Sequence, residues 1–268
     1  MNSALFKQGI ISTWKTLIIF SSVVTMYVSI MVAMYDPSTP DMSSVFEEFY
    51  NFMPEMMNAM GMNINIANLT GFLASYLYGF ILLIFPMVYI IITANGLLVR
   101  HTERGSMAYL LASPNKRGRI ALTQAATLIL GIFVIVAYAA LLGIAVSEAM
   151  FAGELDITSY LILNTGLFCL HFFIGGLCFF ASCVTNEVRK ATLIGSGISV
   201  VCFLFQSLAN VGEKFEGLKY ASFFTLFDST LLIEGSQKGY IMAVCLFAAG
   251  AVLFTAGTVS FTRRDMHV

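Results

Sequence analysis

Charged side chains are scarce in this chain. Only 11% of its 268 residues are Asp, Glu, Lys or Arg, while 58% are hydrophobic. A soluble domain carries about 25% charged residues. A single soluble core of this length could not hide so much apolar side chain, so the composition points to an integral membrane protein. Other absences narrow the function. No Gly-Lys dipeptide occurs, which removes the P-loop lysine and its phosphate cradle. His101, His171 and His267 lie far apart, so no H-E-x-x-H zinc site exists, and no G-x-S-x-G elbow is present. The five cysteines, Cys169, Cys178, Cys183, Cys202 and Cys245, fall in or at the ends of apolar stretches, without a C-x-x-C. They read as small buried apolar residues, not as a disulfide framework or a zinc site. No Asp, Glu, Lys or Arg lies deep in an apolar stretch, which argues against a carrier built on a buried carboxylate. No clear inverted repeat marks a secondary transporter. Little remains from which to build an intramembrane enzyme.

Long apolar runs are what the chain has. Six stretches free of Asp, Glu, Lys and Arg cover roughly 16–35, 71–99, 120–147, 158–186, 191–212 and 239–262. Each meets the requirement of about 20 residues for a helical span. The fold class is therefore an all-α integral membrane protein with six transmembrane helices, forming one domain over 1–268. Several stretches exceed the hydrocarbon thickness, so those helices tilt or continue into water. Pro86 removes a backbone donor mid-span and should kink the second helix near Leu82. The first stretch, at about 20 residues, is too long for a signal-peptide core and lacks an A-x-A-like site.

Charge sorts the loops. The N-terminus, the loop after span two, the loop after span four and the C-terminus hold Lys7, Lys15, Arg100, Arg104, Lys116, Arg117, Arg119, Arg189, Lys190, Arg263 and Arg264. Those segments contain only three acids, Glu103, Glu187 and Asp265. The opposite loops carry the other twelve acids and only Lys214, Lys219 and Lys238. The positive-inside rule then puts both termini in the cytoplasm.

The loops hold structure of their own. In the first outside loop Ser44 and Glu47 have capping-box spacing, Pro54 suits a first helical turn and Gly61 a helix end. Two short amphipathic helices at the outer interface are expected. Met53, Met56, Met57, Met60 and Met62 are soft enough for Cu(I). With no His or Cys among them, adaptable packing is the preferred reading. Asn68-Leu69-Thr70 is an N-x-T sequon next to the membrane. In the last outside loop, Tyr220 to Leu232 is apolar enough to dip into the interface as a short re-entrant or lying helix. In the cytoplasmic loop, Gly105 can end an extension of span two and Ser106 can cap a helix over Met107 to Ala112 that stops before Pro114. Met107, Leu110 and Leu111 give that helix one apolar side.

Inside the spans, His171 is a functional-site candidate by default. No acid shares its depth, so a neutral ring bonded to a neighbouring helix is preferred. Asn164 and Gln206, like Gln124, suit interhelical hydrogen bonds or, more weakly, a substrate pathway. Ala139, Gly143 and Ser147, and again Gly195 and Ser199, step by four and permit close helix approach. Contacts within one subunit and between two are both open.

The cytoplasmic segment resembles the permease subunits of ABC type-2 transporters. Their loop pattern E-x-G-T-x-x-x-L-L-x-x-P-x-x-R stands here as Glu103, Gly105, Ser106, Leu110, Leu111, Pro114 and Arg117. "MPEMMNAMG", "LKYASFFTLFDSTLLIEG" and the "FTRRDMHV" ending are similar to further segments of the same family, in the same order. Gln124 stands where a Lys is common. The resemblance implies that 103–113 is a coupling helix seated on a separate ATP-binding cassette ATPase, which would hold the ATP and Mg. No cofactor is expected on this chain. It also implies a second permease copy or a related permease, no nucleic acid, a bacterial plasma membrane and an exporter of hydrophobic compounds, peptides or lipids. The alternative is a membrane-embedded sensory or regulatory subunit that translocates nothing. The cargo is not legible.

Overall fold

A computed structural model of the chain describes residues 2–35, 50–62, 68–99 and 117–263. Its helices are α1 (Ser3–Met34), α2 (Pro54–Ala59), α3 (Leu69–Leu97), α4 (Arg117–Met150), α5 (Ile157–Val184), α6 (Val188–Val211), α7 (Ser229–Ile233) and α8 (Gln237–Arg263). Of these, α1, α3, α4, α5, α6 and α8 are long and apolar enough to span a membrane. Short 3-10 segments, Glu213–Ala221 and Phe223–Leu226, lie between α6 and α7. No strand occurs among the described residues.

Polar caps set several helix starts. Asn2 accepts from the N–H groups of Ala4 and Leu5 at 3.0 and 3.2 Å, so α1 begins well before the apolar stretch and carries Lys7 and Lys15 within it. Asn68 accepts from the Gly71 N–H at 2.8 Å and caps α3, which commits the sequon's amide oxygen to the helix start. Asp156 caps α5 through the N–H groups of Thr158 and Ser159. The Ser159 hydroxyl and N–H hold its carboxyl below the usual carboxylate range, so this cap stays charged throughout the neutral range.

Burial ranks the spans. The apolar window of α5 is 72% buried and that of α3 61%, against 17% for α1 and 28% for both α6 and α8. The centre of the bundle is therefore α5 with α3. Hydrocarbon lipid offers no hydrophobic drive for helix association, so close packing must supply it. The α5–α8 seam shows how. A Cβ on Gly176 would lie 2.8 Å from the Gly250 carbonyl oxygen, and one on Gly250 would lie 2.7 Å from the Phe172 ring. Phe172 stacks on Phe247 at 4.7 Å and meets Phe254 at 5.0 Å, while Phe179 meets Phe254 at 5.3 Å. Glycines let the backbones close, and the rings fill the space beside them.

The small-residue steps serve this subunit itself. Ala139, Gly143 and Ser147 of α4 are buried, with Gly143 against the Tyr160 hydroxyl of α5. Gly195 of α6 is equally close to α5, since its Cβ would lie 2.9 Å from Cys178 Cα. Four cysteines are buried as expected, but Cys245 is exposed on α8. An exposed apolar residue on a spanning helix suits lipid as well as burial suits the others.

Two helices are interrupted by π-helical turns, Leu77–Ile81 in α3 and Leu193–Gly197 in α6. In α3 regular helix resumes at Leu82 and runs through Pro86. Pro86 has no N–H for the Leu82 carbonyl and its ring crowds that oxygen. Leu82 is where the wide turn ends and regular helix resumes.

The loops match expectation in part. Pro54 is the first residue of α2 and Gly61, at φ +70°, ends it. The capping box at Ser44 and Glu47 lies outside the described residues. The last outside loop is not one helix over Tyr220 to Leu232. It is two 3-10 segments and α7, with Phe224 and Leu232 buried and Tyr220 95% exposed. Ser222 and Asp228 explain the division. Each accepts N–H groups ahead of it and starts a new short element.

A leucine at position 250 should force the α5–α8 seam apart and lower stability by about 1–3 kcal/mol. A Cβ on Gly96 would meet nothing within 4 Å, so Gly96→Ala should leave stability unchanged or slightly raised. Thermal unfolding of both variants in nanodiscs checks the contrast.

Candidate functional site

The first four turns of α3 bring a break in the helix to one end of the bundle. Since the spans alternate in direction, the C-terminal end of α6, the segment from Glu213 to Thr230 and α2 share that end. It is the acid-rich end. Between them lies a cavity of about 640 Å³. Its walls are Tyr78, Gly79 and Leu83 of α3, Gln206 and Asn210 of α6, Asn58 and Gly61 of the α2 region, and Lys219, Thr225 and Asp228 of the connecting segment.

The helix break shapes one wall. A Cβ on Gly79 would lie 2.5 Å from the Met60 carbonyl oxygen and 3.2 Å from that of Gly61. Gly61 is itself 3.4 Å from Gly79 Cα by the same measure. Two glycines therefore let the α2 turn rest directly on the π-helical backbone of α3. Non-helical backbone is tolerated at membrane depth where protein covers it or a wet cavity borders it. Here the α2 turn covers the backbone and a cavity with polar side chains borders it.

The polar wall is partly self-satisfied. The Thr225 hydroxyl lies 2.7 Å from both Gln206 Oε1 and the Lys219 carbonyl oxygen, and donates to one at a time. Gln206 Nε2 donates to Asn210 Oδ1 at 3.4 Å. Tyr50 donates to Asn58 Oδ1 at 3.0 Å. Asp228 caps α7 through Thr230 and Leu231. Lys219 pairs with Glu216 at 3.5 Å, with both side chains more than a third exposed. The oxygens of Asn58, Gln206 and Asn210 are thus engaged, and their amide N–H groups retain capacity to donate into the cavity. Phe224 and Phe227 also line the cavity; Phe224 stacks on Phe223 at 4.7 Å and meets Phe203 at 5.5 Å. The arrangement offers hydrogen-bond donors beside aromatic rings, and no nucleophile with an adjacent base among the described residues.

Of the three pathway candidates, only Gln206 lines this cavity. His171 is fully buried in α5. Its Nδ1 lies 2.9 Å from the Leu167 carbonyl oxygen and its Nε2 lies 3.3 Å from that of Leu83. A neutral ring carries one N–H and donates to one of these at a time. The Leu83 carbonyl belongs to the turn that Pro86 disturbs, and Leu83 also borders the cavity. His171 therefore braces the broken helix from behind. Asn164 donates to the Tyr160 carbonyl at 2.8 Å within α5, beside the edge-to-face pair of Tyr78 and Tyr160. It is a packing group behind the cavity wall. The sequence alone did not single out Asn58, Asn210 or Thr225. Asn210 had a signal, since it repeats Gln206 four residues on and so shares its helix face.

Among the coupling candidates, Arg117 is the first residue of α4. Glu103, Gly105, Ser106, Met107, Leu110, Leu111 and Pro114 lie outside the described residues.

Replacing His171 by Leu should cost about 1–3 kcal/mol, because it removes a side-chain donor to the Leu83 carbonyl inside a dry bundle. His171→Gln, which keeps an N–H donor, should recover part of the loss. Unfolding temperatures in nanodiscs decide. A wild-type value for His171→Leu would contradict the bracing role.

A model of the ABC-2 family transporter proteins matches residues 6–266. No curated protein and no solved structure matches the chain. The match runs through all six spans and both cavity-forming connections, and agrees with a helical membrane body that carries no catalytic constellation among its described residues. The chain belongs to the ABC-2 family transporter proteins and is a membrane transport subunit.

Proposed function

We propose that this chain is the permease half of an ATP-driven exporter, working as two copies or beside a related permease, on a separate ATP-binding cassette ATPase. Both termini and residues 103–113 face the cytoplasm, by the split of eleven basic residues against three acids. The membrane is a bacterial plasma membrane. ATP and Mg bind the partner, because this chain has no Gly-Lys dipeptide for a P-loop.

The polar cavity of about 640 Å³ at the acid-rich end is the observation that supports transport best. It lies opposite the proposed ATPase contact. Cargo leaving the bundle would meet the amides of Asn58, Gln206 and Asn210 and the rings of Phe224 and Phe227.

On the cytoplasmic side, the apolar edge of Met107, Leu110 and Leu111 would seat in an ATPase groove, with Glu103, Gly105, Ser106, Pro114 and Arg117 framing it. Fully burying one such Leu contributes about 1.5–3 kcal/mol. Leu110→Ala with Leu111→Ala should therefore insert normally but lose most ATPase in co-purification. Glu103→Ala should keep association and uncouple hydrolysis from transport. The measurement is ATPase retained per permease on affinity purification from co-expressing membranes. Wild-type retention by the double variant would reduce the segment to a basic loop that only fixes topology.

A further inference from the structure

A second cavity lies elsewhere, on the outer face of α8. It measures about 980 Å³ and is lined by Ala251, Val252, Thr255, Ala256, Val259 and Ser260, with Val184 from the end of α5 and Arg263 at its mouth. The α8 positions step by one and three along the helix, so they form a single stripe. From Ala251 to Arg263 the stripe runs about 18 Å at 1.5 Å per residue. One leaflet of hydrocarbon is about 15 Å deep. The groove therefore runs from near mid-membrane to the interface at the end of α8.

Its chemistry is divided along that length. The deep part is aliphatic or small, and the Thr255 hydroxyl is turned onto its own helix, donating to the Ala251 carbonyl at 2.8 Å. The shallow end carries Ser260 and Arg263, which share a face at i and i+3. Among the described residues neither takes part in an ion pair or a side-chain hydrogen bond; the ion pairs present are Lys190–Glu187 and Lys219–Glu216. More positive charge lies at the same end. A Cβ on Gly118 would lie 3.3 Å from Thr262 Oγ1, which brings the turn with Arg117 and Arg119 next to the end of α8. No acid lines the groove among the described residues.

We infer that this groove is a binding site for one anionic phospholipid, with an acyl chain along Ala251 to Val259 and the phosphate on Ser260 and Arg263. The polar and apolar parts of such a lipid have the order and spacing of the groove. A guanidinium holds a phosphate by paired N–H donors, and it keeps its charge at the membrane surface. An anionic headgroup supplies the counter-charge that no described residue of the groove gives Arg263. The site is separate from the cavity between α3 and α6. It depends on the proposed orientation only for its leaflet, which would be the cytoplasmic one.

The test is native mass spectrometry of the full chain in detergent, titrated with dioleoyl phosphatidylglycerol or dioleoyl phosphatidylcholine. Wild type should hold one phosphatidylglycerol with at least tenfold preference over phosphatidylcholine. Ser260→Ala with Arg263→Gln should lose that preference tenfold or more. Ala256→Trp, which fills the groove and leaves the cation in place, should lose the bound lipid altogether. Lys238→Gln, at the opposite end of α8, should change nothing. Unchanged unfolding temperatures establish that the variants are folded, and Val252→Leu serves as a milder filling variant if Ala256→Trp is not. Equal retention of phosphatidylglycerol by wild type and the Ser260–Arg263 variant overturns the inference. So does efficient disulfide cross-linking of two copies through Val252→Cys on a Cys-free background, which would show a second chain in the groove.

Discussion

Backbone N–H and carbonyl groups have no water to turn to in a bilayer, so every break in a spanning helix must be made good by protein or by a wet cavity. In this chain the demand concentrates on α3. The π-helical turn at Leu77–Ile81 and the missing donor at Pro86 lie within ten residues of each other. The response comes from three directions. α2 covers the π turn through the Gly61–Gly79 contact, His171 reaches the Leu83 carbonyl from α5, and the cavity borders the remaining side. The most buried span, α5, is held in register for this task by its glycine seam with α8.

The cavity lies against that break. Gly79, within the π turn, lets the α2 turn rest on α3, and Gly79 and Leu83 both border the space beside α6. π-helical turns often accompany function because they re-aim side chains at modest local cost. Here the turn joins the cavity wall to the centre of the bundle. A conformational change in α3 would be felt at both, which is the coupling a transport subunit needs.

Much of the fold was legible from single residues. Runs without charge gave all six spans, Pro54 and Gly61 gave the α2 boundaries, and Pro86 marked the disturbed turn. Helix ends were less legible, because capped amphipathic turns such as Asn2 to Lys15 extend a span beyond its apolar core. The last outside loop carries the expected short apolar helical segment, Phe223–Ile233, but its division into short elements was not legible, since the apolar composition hid the caps at Ser222 and Asp228. Of the candidate site, Gln206 was found by its polarity at membrane depth. His171 and Asn164 carried the same signal but face backbone carbonyls and do not line the cavity, because polarity in a span announces a hydrogen bond without saying whether backbone or cargo receives it. Asn58 could not have been placed from sequence, as the approach of α2 to α3 depends on two glycines eighteen residues apart.

The central claim is that the cavity between α3 and α6 belongs to a pathway driven by a partner ATPase. The most direct measurement is the labelling rate of Asn210→Cys, on a Cys-free background, by a membrane-impermeant maleimide added from outside. It would be taken on the reconstituted permease–ATPase complex, nucleotide-free and again after trapping with ATP and vanadate. The account predicts labelling from outside, with a rate that changes several-fold between the two states. A rate indifferent to nucleotide, or labelling only from the cytoplasmic side, would contradict it.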